Sequence, residues 1–111
     1  MKHKRTKATE ISMETKRIVW ERDNHQCIFC GRWVPIHCAN CHFVKRSQGG
    51  LGIPENLFTG CFECHYKEDF GQEQLEYREV AENYLRNYYG SSWNKENLVY
   101  KKGGQTNEYY R

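Results

Sequence analysis

The sequence predicts a small α+β domain that leans on bound metal, and three features carry that prediction. Two stretches have helical periodicity. The stretch between them is rich in β-formers and glycine, and three C-x-x-C pairs fall within 111 residues. Hydrophobic residues are 38% of the chain and charged residues 28%, so its core is thin. Domains with thin cores are commonly held by metal or disulfides, and six cysteines fit that need. One domain is expected, without internal repeats.

Residues 1–10 read as a disordered basic arm carrying Lys2, Lys4, Arg5 and Lys7. In "ISMETKRIVWERD", Ile11, Thr15, Ile18, Val19 and Arg22 fall near helical spacing behind Ser12 as N-cap, which predicts a helix over about 12–22. Asp23-Asn24 is a stop and turn signal. Cys27 and Cys30, followed by Gly31, have the form of a zinc knuckle. "WVPIHCANCHFV" reads as a strand or hairpin. "KRSQGGLGIPENL" reads as a glycine-rich loop ending in Pro54, Glu55 and Asn56. A second knuckle, Cys61 to Cys64, leads into a short helix expected to begin near His65. A long helix over 73–89 would place Leu75, Val80, Tyr84, Leu85 and Tyr88 along one face, with Gly90 as its stop. Trp93, Leu98 and Tyr100 are expected to pack, and residues 101–111 to form a flexible tail.

Charge is unevenly distributed. Residues 1–50 hold ten Lys and Arg against four Asp and Glu, a net +6, whereas residues 51–111 hold seven against ten, a net −3. A one-sided basic surface suits a polyanion such as DNA. The start "MKHKRTKATE" lacks the apolar stretch of a secretory signal, and no run approaches the length of a membrane span. The expectation is a cytoplasmic protein, where thiols stay reduced and paired cysteines bind metal.

"HCANCHF" (37–43) and "GCFECHY" (60–66) each contain C-x-x-C-H, the attachment signature of c-type haem. A dihaem cytochrome would need export, and it would leave pair 27/30 unexplained. Zinc explains two pairs at once, because two knuckles supply four thiolates with a tetrahedral bite. Pair 38/41 lies in the most strand-like stretch, where a knuckle would interrupt pairing. Cys27, Cys30, Cys61 and Cys64 are therefore the expected ligands of a structural Zn²⁺.

With the knuckles placed, a longer pattern stands out. "RIVWERDNHQCIFCG" followed by "CHFVKRSQGGLGIPENLFTGCFECH" resembles the HNH endonucleases, the ββα-metal nucleases, in the zinc-knuckled form common in bacteriophages. The resemblance covers about residues 16–70, and the stretch 93–100 is also similar to phage members. It implies a ββα-metal core flanked by N- and C-terminal helices, within a single endonuclease domain over 11–100. It implies His42 as general base, Asn56 as the middle Asn and His65 as a ligand of a catalytic divalent cation (Mg²⁺, Mn²⁺, Ni²⁺ or Zn²⁺). It also implies DNA as substrate, phage packaging or recombination proteins as candidate partners, and the host cytoplasm as location.

These residue types suit the chemistry. An imidazole deprotonates water near neutral pH, a cation stabilises charge growing on the leaving oxygen, and an Asn amide pins a loop. Arg46 and Lys45, with Lys2, Lys4, Arg5 and Lys7, are candidate DNA contacts. Cys41 departs from the family pattern, which often has Asp or His there. Either it binds a softer ion such as Zn²⁺ or Ni²⁺, or water or another side chain fills that place. Cys38 is expected as buried packing. The competing function is a catalytically inactive zinc-ribbon DNA-binding module, which would keep the four ligand cysteines and the arm.

Overall fold

The computed structural model describes residues 4–38 and 40–102. The described elements run α1 (Lys4–Thr9), α2 (Met13–Arg22), β1 (Asn40–His42), β2 (Leu57–Thr59), α3 (Phe62–Phe70) and α4 (Gln74–Tyr89), linked by short 3-10 turns. β1 and β2 pair antiparallel with Asn40 opposite Thr59, Cys41 opposite Phe58 and His42 opposite Leu57. α3 follows β2 almost directly, so the centre is a two-stranded ribbon feeding a helix.

The basic arm differs from expectation: residues 4–9 are helical rather than disordered. The cause lies in ties from both ends of the helix. Thr9 is buried, Ala8 accepts a hydrogen bond from the Gly52 amide, and Arg5 donates to the Ser47 carbonyl. A helix this short is marginal alone, and these tertiary ties supply what its length does not. Lys2 and residues 103–111, most of the expected tail, lie outside the described residues.

α2 starts where its cap predicts, with the Ser12 side chain accepting from the Thr15 amide. At its end Arg22 and Asp23 form a pair whose side chains are 4% and 0% exposed. Arg22 also donates to the carbonyls of Pro54 and Leu57 at 2.8 and 2.7 Å, and Asp23 accepts from the Thr59 amide at 2.8 Å. The Tyr84 and Tyr89 hydroxyls of α4 join the same cluster. Every charge in it is answered, as burial demands.

The β-rich stretch forms less strand than expected. Ile36–Cys38 turns as a 3-10 helix after Pro35, leaving a three-residue β1. The loop that follows folds tightly. A Cβ on Gly50 would lie 1.7 Å from the Val44 carbonyl oxygen, and one on Gly52 would lie 1.9 Å from that of Glu10. Only glycine permits those approaches. α3 begins three residues before the expected His65, because the Cys61 sulfur caps it by accepting from the Cys64 amide.

α4 has the expected length and stops at Gly90 (φ 83°), and of its expected apolar face it buries Leu85, half-buries Tyr84 and leaves the rest exposed. Ala81 and Leu85 are fully buried, whereas Leu75 is 84% exposed and Val80 and Tyr88 are also exposed. Leu85 joins Leu51, Phe58, Trp93 and Leu98 in the main core. Leu85→Ala should therefore cost about 2–5 kcal/mol of stability, and Leu75→Ala should stay within about 0.5 kcal/mol of wild type. Urea melts of the two variants check this, and equal losses would place the core face wrongly.

Candidate active site

The first cluster is built by two turns. After α2 the chain closes Cys27–Gly31 with a bond from the Gly31 amide to the Cys27 carbonyl, and the Phe29 amide donates to the Cys27 sulfur at 3.4 Å. The α3 cap presents Cys61 and Cys64 beside it. The sulfurs of Cys27, Cys30, Cys61 and Cys64 all lie within 4.8 Å of one another, and Cys30 and Cys61 are 3.8 Å apart. Bonds of about 2.3 Å to a tetrahedral zinc ion put sulfurs roughly 3.8 Å apart. The four cysteines thus fit a metal ion such as zinc. Cys61 and Cys64, one of the two haem-like strings, turn toward Cys27 and Cys30.

The thiols carry the imprint of their surroundings. Burial pushes those of Cys27 and Cys64 above the ordinary range. A hydrogen bond from the Arg32 backbone holds Cys30 down to about 7. Four thiolates this close repel one another, and a bound cation is what would favour all four.

The other cysteines behave differently. Cys38 is exposed rather than packed. Cys41 is 2% exposed and sits in the main apolar cluster opposite Phe58, where burial raises its thiol far above the usual range. It stands outside the groups that could hold a metal. Strand alternation explains this: with His42 turned to the site, its neighbour Cys41 turns to the core.

His42 projects from β1, and its Nε2 lies 3.0 Å from the Thr9 carbonyl oxygen. That oxygen can only accept, so Nε2 carries the proton and Nδ1 keeps a lone pair. Burial, opposed by the Thr9 bond, lowers the His42 pKa below its ordinary value, and the charges of Arg46 and Lys45 push the same way. The imidazole is held neutral near pH 7.

Asn56 is fully buried. Its side-chain oxygen accepts from the Val44 amide at 2.8 Å, and its Nδ2 donates to the carbonyls of Leu51 at 2.9 Å and Val44 at 3.2 Å. Its own carbonyl accepts from the Phe43 amide at 2.8 Å, next to His42. It thus ties the loop directly behind β1. Asn56→Ala strands these partners in the interior and should cost roughly 2–5 kcal/mol. Asn56→Asp keeps the shape but presents an acceptor to two carbonyls, and denaturant melts should show it destabilised as well. An unperturbed Asn56→Ala midpoint would remove the bracing role.

His65 lies on α3, with Nε2 3.1 Å from Asp69 Oδ2, and burial lowers its pKa. His65, Glu68 and Asp69 bring three ligand atoms within 4.8 Å of one another. An imidazole with two carboxylates suits a divalent cation of intermediate hardness. Glu68 and Asp69 belong to no motif of the sequence, although their i+3 and i+4 spacing from a helical histidine puts all three on one face.

The DNA-contact candidates divide. Lys45, half-buried, turns to α3: its ammonium bonds both Glu68 oxygens at 2.9 Å and also contacts Asp69. Arg46 donates to Thr9 Oγ1 at 3.2 Å and lines an open cavity of about 330 Å³ with Arg5, Thr6, Thr9 and Ser47. Lys4 and Lys7 are exposed on α1. Two guanidiniums and three hydroxyls make that cavity a fit for a phosphate. Among the described residues no helix is long and apolar enough to cross a membrane. Compared with known proteins, the chain matches no family model, no curated protein and no solved structure, so its own residues carry the functional argument.

Proposed function

We propose that the chain is a metal-dependent DNA endonuclease of the HNH, ββα-metal type, stapled by a structural zinc on Cys27, Cys30, Cys61 and Cys64. One observation carries this: a neutral imidazole, His42, with its Nε2–H tied to Thr9 and its Nδ1 left to accept, on the strand pair that feeds the helix bearing His65, Glu68 and Asp69.

In this reaction Nδ1 of His42 takes a proton from water as the water oxygen attacks phosphorus. The P–O bond to the leaving oxygen breaks, and that oxygen is protonated from solvent. Asn56 keeps the loop behind His42 from shifting. Arg46 and Arg5 seat a phosphate. His65, with Asp69 and Glu68, would hold a divalent cation, whose chemistry is to stabilise charge on the leaving oxygen. The partners are DNA and, on this reading, phage packaging or recombination proteins in the host cytoplasm.

A second reading, a catalytically inactive zinc-ribbon DNA-binding module, draws support from Lys45, whose ammonium occupies the carboxylates that a cation would use. Supercoiled-plasmid cleavage across a panel of Mg²⁺, Mn²⁺, Ni²⁺ and Zn²⁺ separates the two. Cutting by wild type that His42→Ala lacks supports the nuclease, and binding without cutting in every metal supports the module.

Both readings use α1 for electrostatic affinity. Replacing Lys4 and Lys7 together by Ala spares the Arg5 tie to Ser47 and removes two charges from α1. The slope of log K against log salt should then fall in magnitude by up to about 1.8, near 0.9 per phosphate contact. An unchanged slope would leave α1 as a brace only.

A further inference from the structure

We propose that Lys45 is the place-holder for the divalent cation: in the metal-free protein its ammonium neutralises Glu68 and Asp69, and when metal binds it swings out to a DNA phosphate. Resting on the nuclease reading above, this makes Lys45 the group that couples metal occupancy to DNA affinity.

The geometry points there. The Lys45 ammonium lies 2.9 Å from each Glu68 oxygen and contacts Oδ1 of Asp69, while Oδ2 of Asp69 is 3.1 Å from His65 Nε2. One monovalent cation therefore sits where three ligand atoms converge. The Glu68 side chain is fully buried, and its second cation is Arg78 at 2.6 Å. Two carboxylates and two side-chain cations balance. A doubly charged ion added with Lys45 in place would leave like charges in contact around a buried carboxylate, where screening is weak. Exchange of Lys45 for the ion avoids that contact; it leaves the site with one surplus positive charge and puts a second, the released ammonium, where a DNA phosphate can answer it.

Lys45 is also the cation free to move. Its side chain is 27% exposed, on a flexible four-carbon stem. Arg78 is equally exposed, but its guanidinium carbon lies over the Phe43 ring, 4.4 Å from the centroid, and that cation–π contact anchors it. The next residue, Arg46, already lines the phosphate-sized cavity, so a released Lys45 emerges on the segment that faces DNA.

The test uses the zinc-loaded full chain. In Mn²⁺ titrations followed by EPR, Lys45→Met should bind on the order of tenfold more tightly than wild type, because a competitor for the site is gone. In wild type, the ¹⁵N signal of an ion-paired lysine ammonium should shift to the solvent-exposed position as Mg²⁺ is added. This second measurement needs no variant and stands even if Lys45→Met folds poorly. In a His42→Ala background, Lys45→Met should lower the salt slope for a short duplex by about 0.9 with Mg²⁺ present and leave it unchanged without Mg²⁺. Equal or weaker Mn²⁺ binding by a folded Lys45→Met, or an ammonium signal that Mg²⁺ does not move, overturns the exchange alone. Absent Mn²⁺ binding in wild type, or Mn²⁺ affinity that His65→Ala leaves unchanged, overturns the exchange and the catalytic site together.

Discussion

Cys30→Ala is expected to leave the chain largely unfolded at 25 °C, and a strong chelator is expected to do the same to wild type. The sulfur cluster joins the turn after α2 to the start of α3. Among the described residues, Val34, Trp20, Phe29 and Tyr77 pack around it, too few apolar groups to hold that corner. A tetrathiolate zinc site contributes an apparent 10–16 kcal/mol or so, against a total stability of about 5–15 kcal/mol for an ordinary domain. Circular dichroism and elemental analysis read the outcome: one zinc per folded chain in wild type, none in Cys30→Ala. Cys38→Ala is the control. Its thiol is exposed and outside the cluster, so metal content and fold should not change. A folded, zinc-free Cys30→Ala protein would remove the structural role of the metal.

The second large effect is on rate. His42→Ala should lower cleavage by on the order of 10²–10⁴ while the protein stays folded and keeps its zinc. His65→Ala fails differently, through its hold on the cation, so raising the metal concentration should restore part of its activity and none of that of His42→Ala. The pH profile carries a sign. A depressed His42 pKa means the basic form survives below the ordinary histidine range. Cleavage should therefore hold level as pH falls past 6.5 and decline only below the depressed value, by about tenfold per unit. Wild-type cleavage by His42→Ala would end the base assignment and move the binding module ahead.

The parts of this molecule legible in sequence are those set by local chemistry. Ser12 capping α2, Gly90 ending α4 and the two cysteine turns each depend on a few adjacent residues. What escaped depends on contacts between distant segments. α1 forms because Thr9, Ala8 and Arg5 meet a loop some forty residues away, and a basic decapeptide gives no sign of that. α4 turns Ala81 inward beside Leu85 because the Arg22–Asp23 pair claims Tyr84 and Tyr89. Apolar periodicity marks Leu85, but it marks Leu75, Val80 and Tyr88 equally, and the fold leaves those exposed. Lys45 reads as a DNA contact beside Arg46 until α3 brings Glu68 within reach. For Cys41 the sequence leaves two places open, metal ligand or bystander, and strand alternation puts it in the core.

The proton on His42 is positioned by a peptide group, not by a side chain. Thr9 offers its main-chain oxygen, so every amino acid at position 9 would present the same acceptor, and alanine scanning passes over it in silence. What the base does depend on is the course of the polypeptide from α1 to α2. A chain trimmed past residue 9 would keep each candidate catalytic side chain and still lose the atom that fixes the imidazole tautomer. An ester in place of the Thr9–Glu10 amide weakens that carbonyl as an acceptor and removes the Glu10 N–H that donates to Thr6; set beside Thr6→Ala, which keeps both groups, it would expose the dependence while leaving every other side chain as it is.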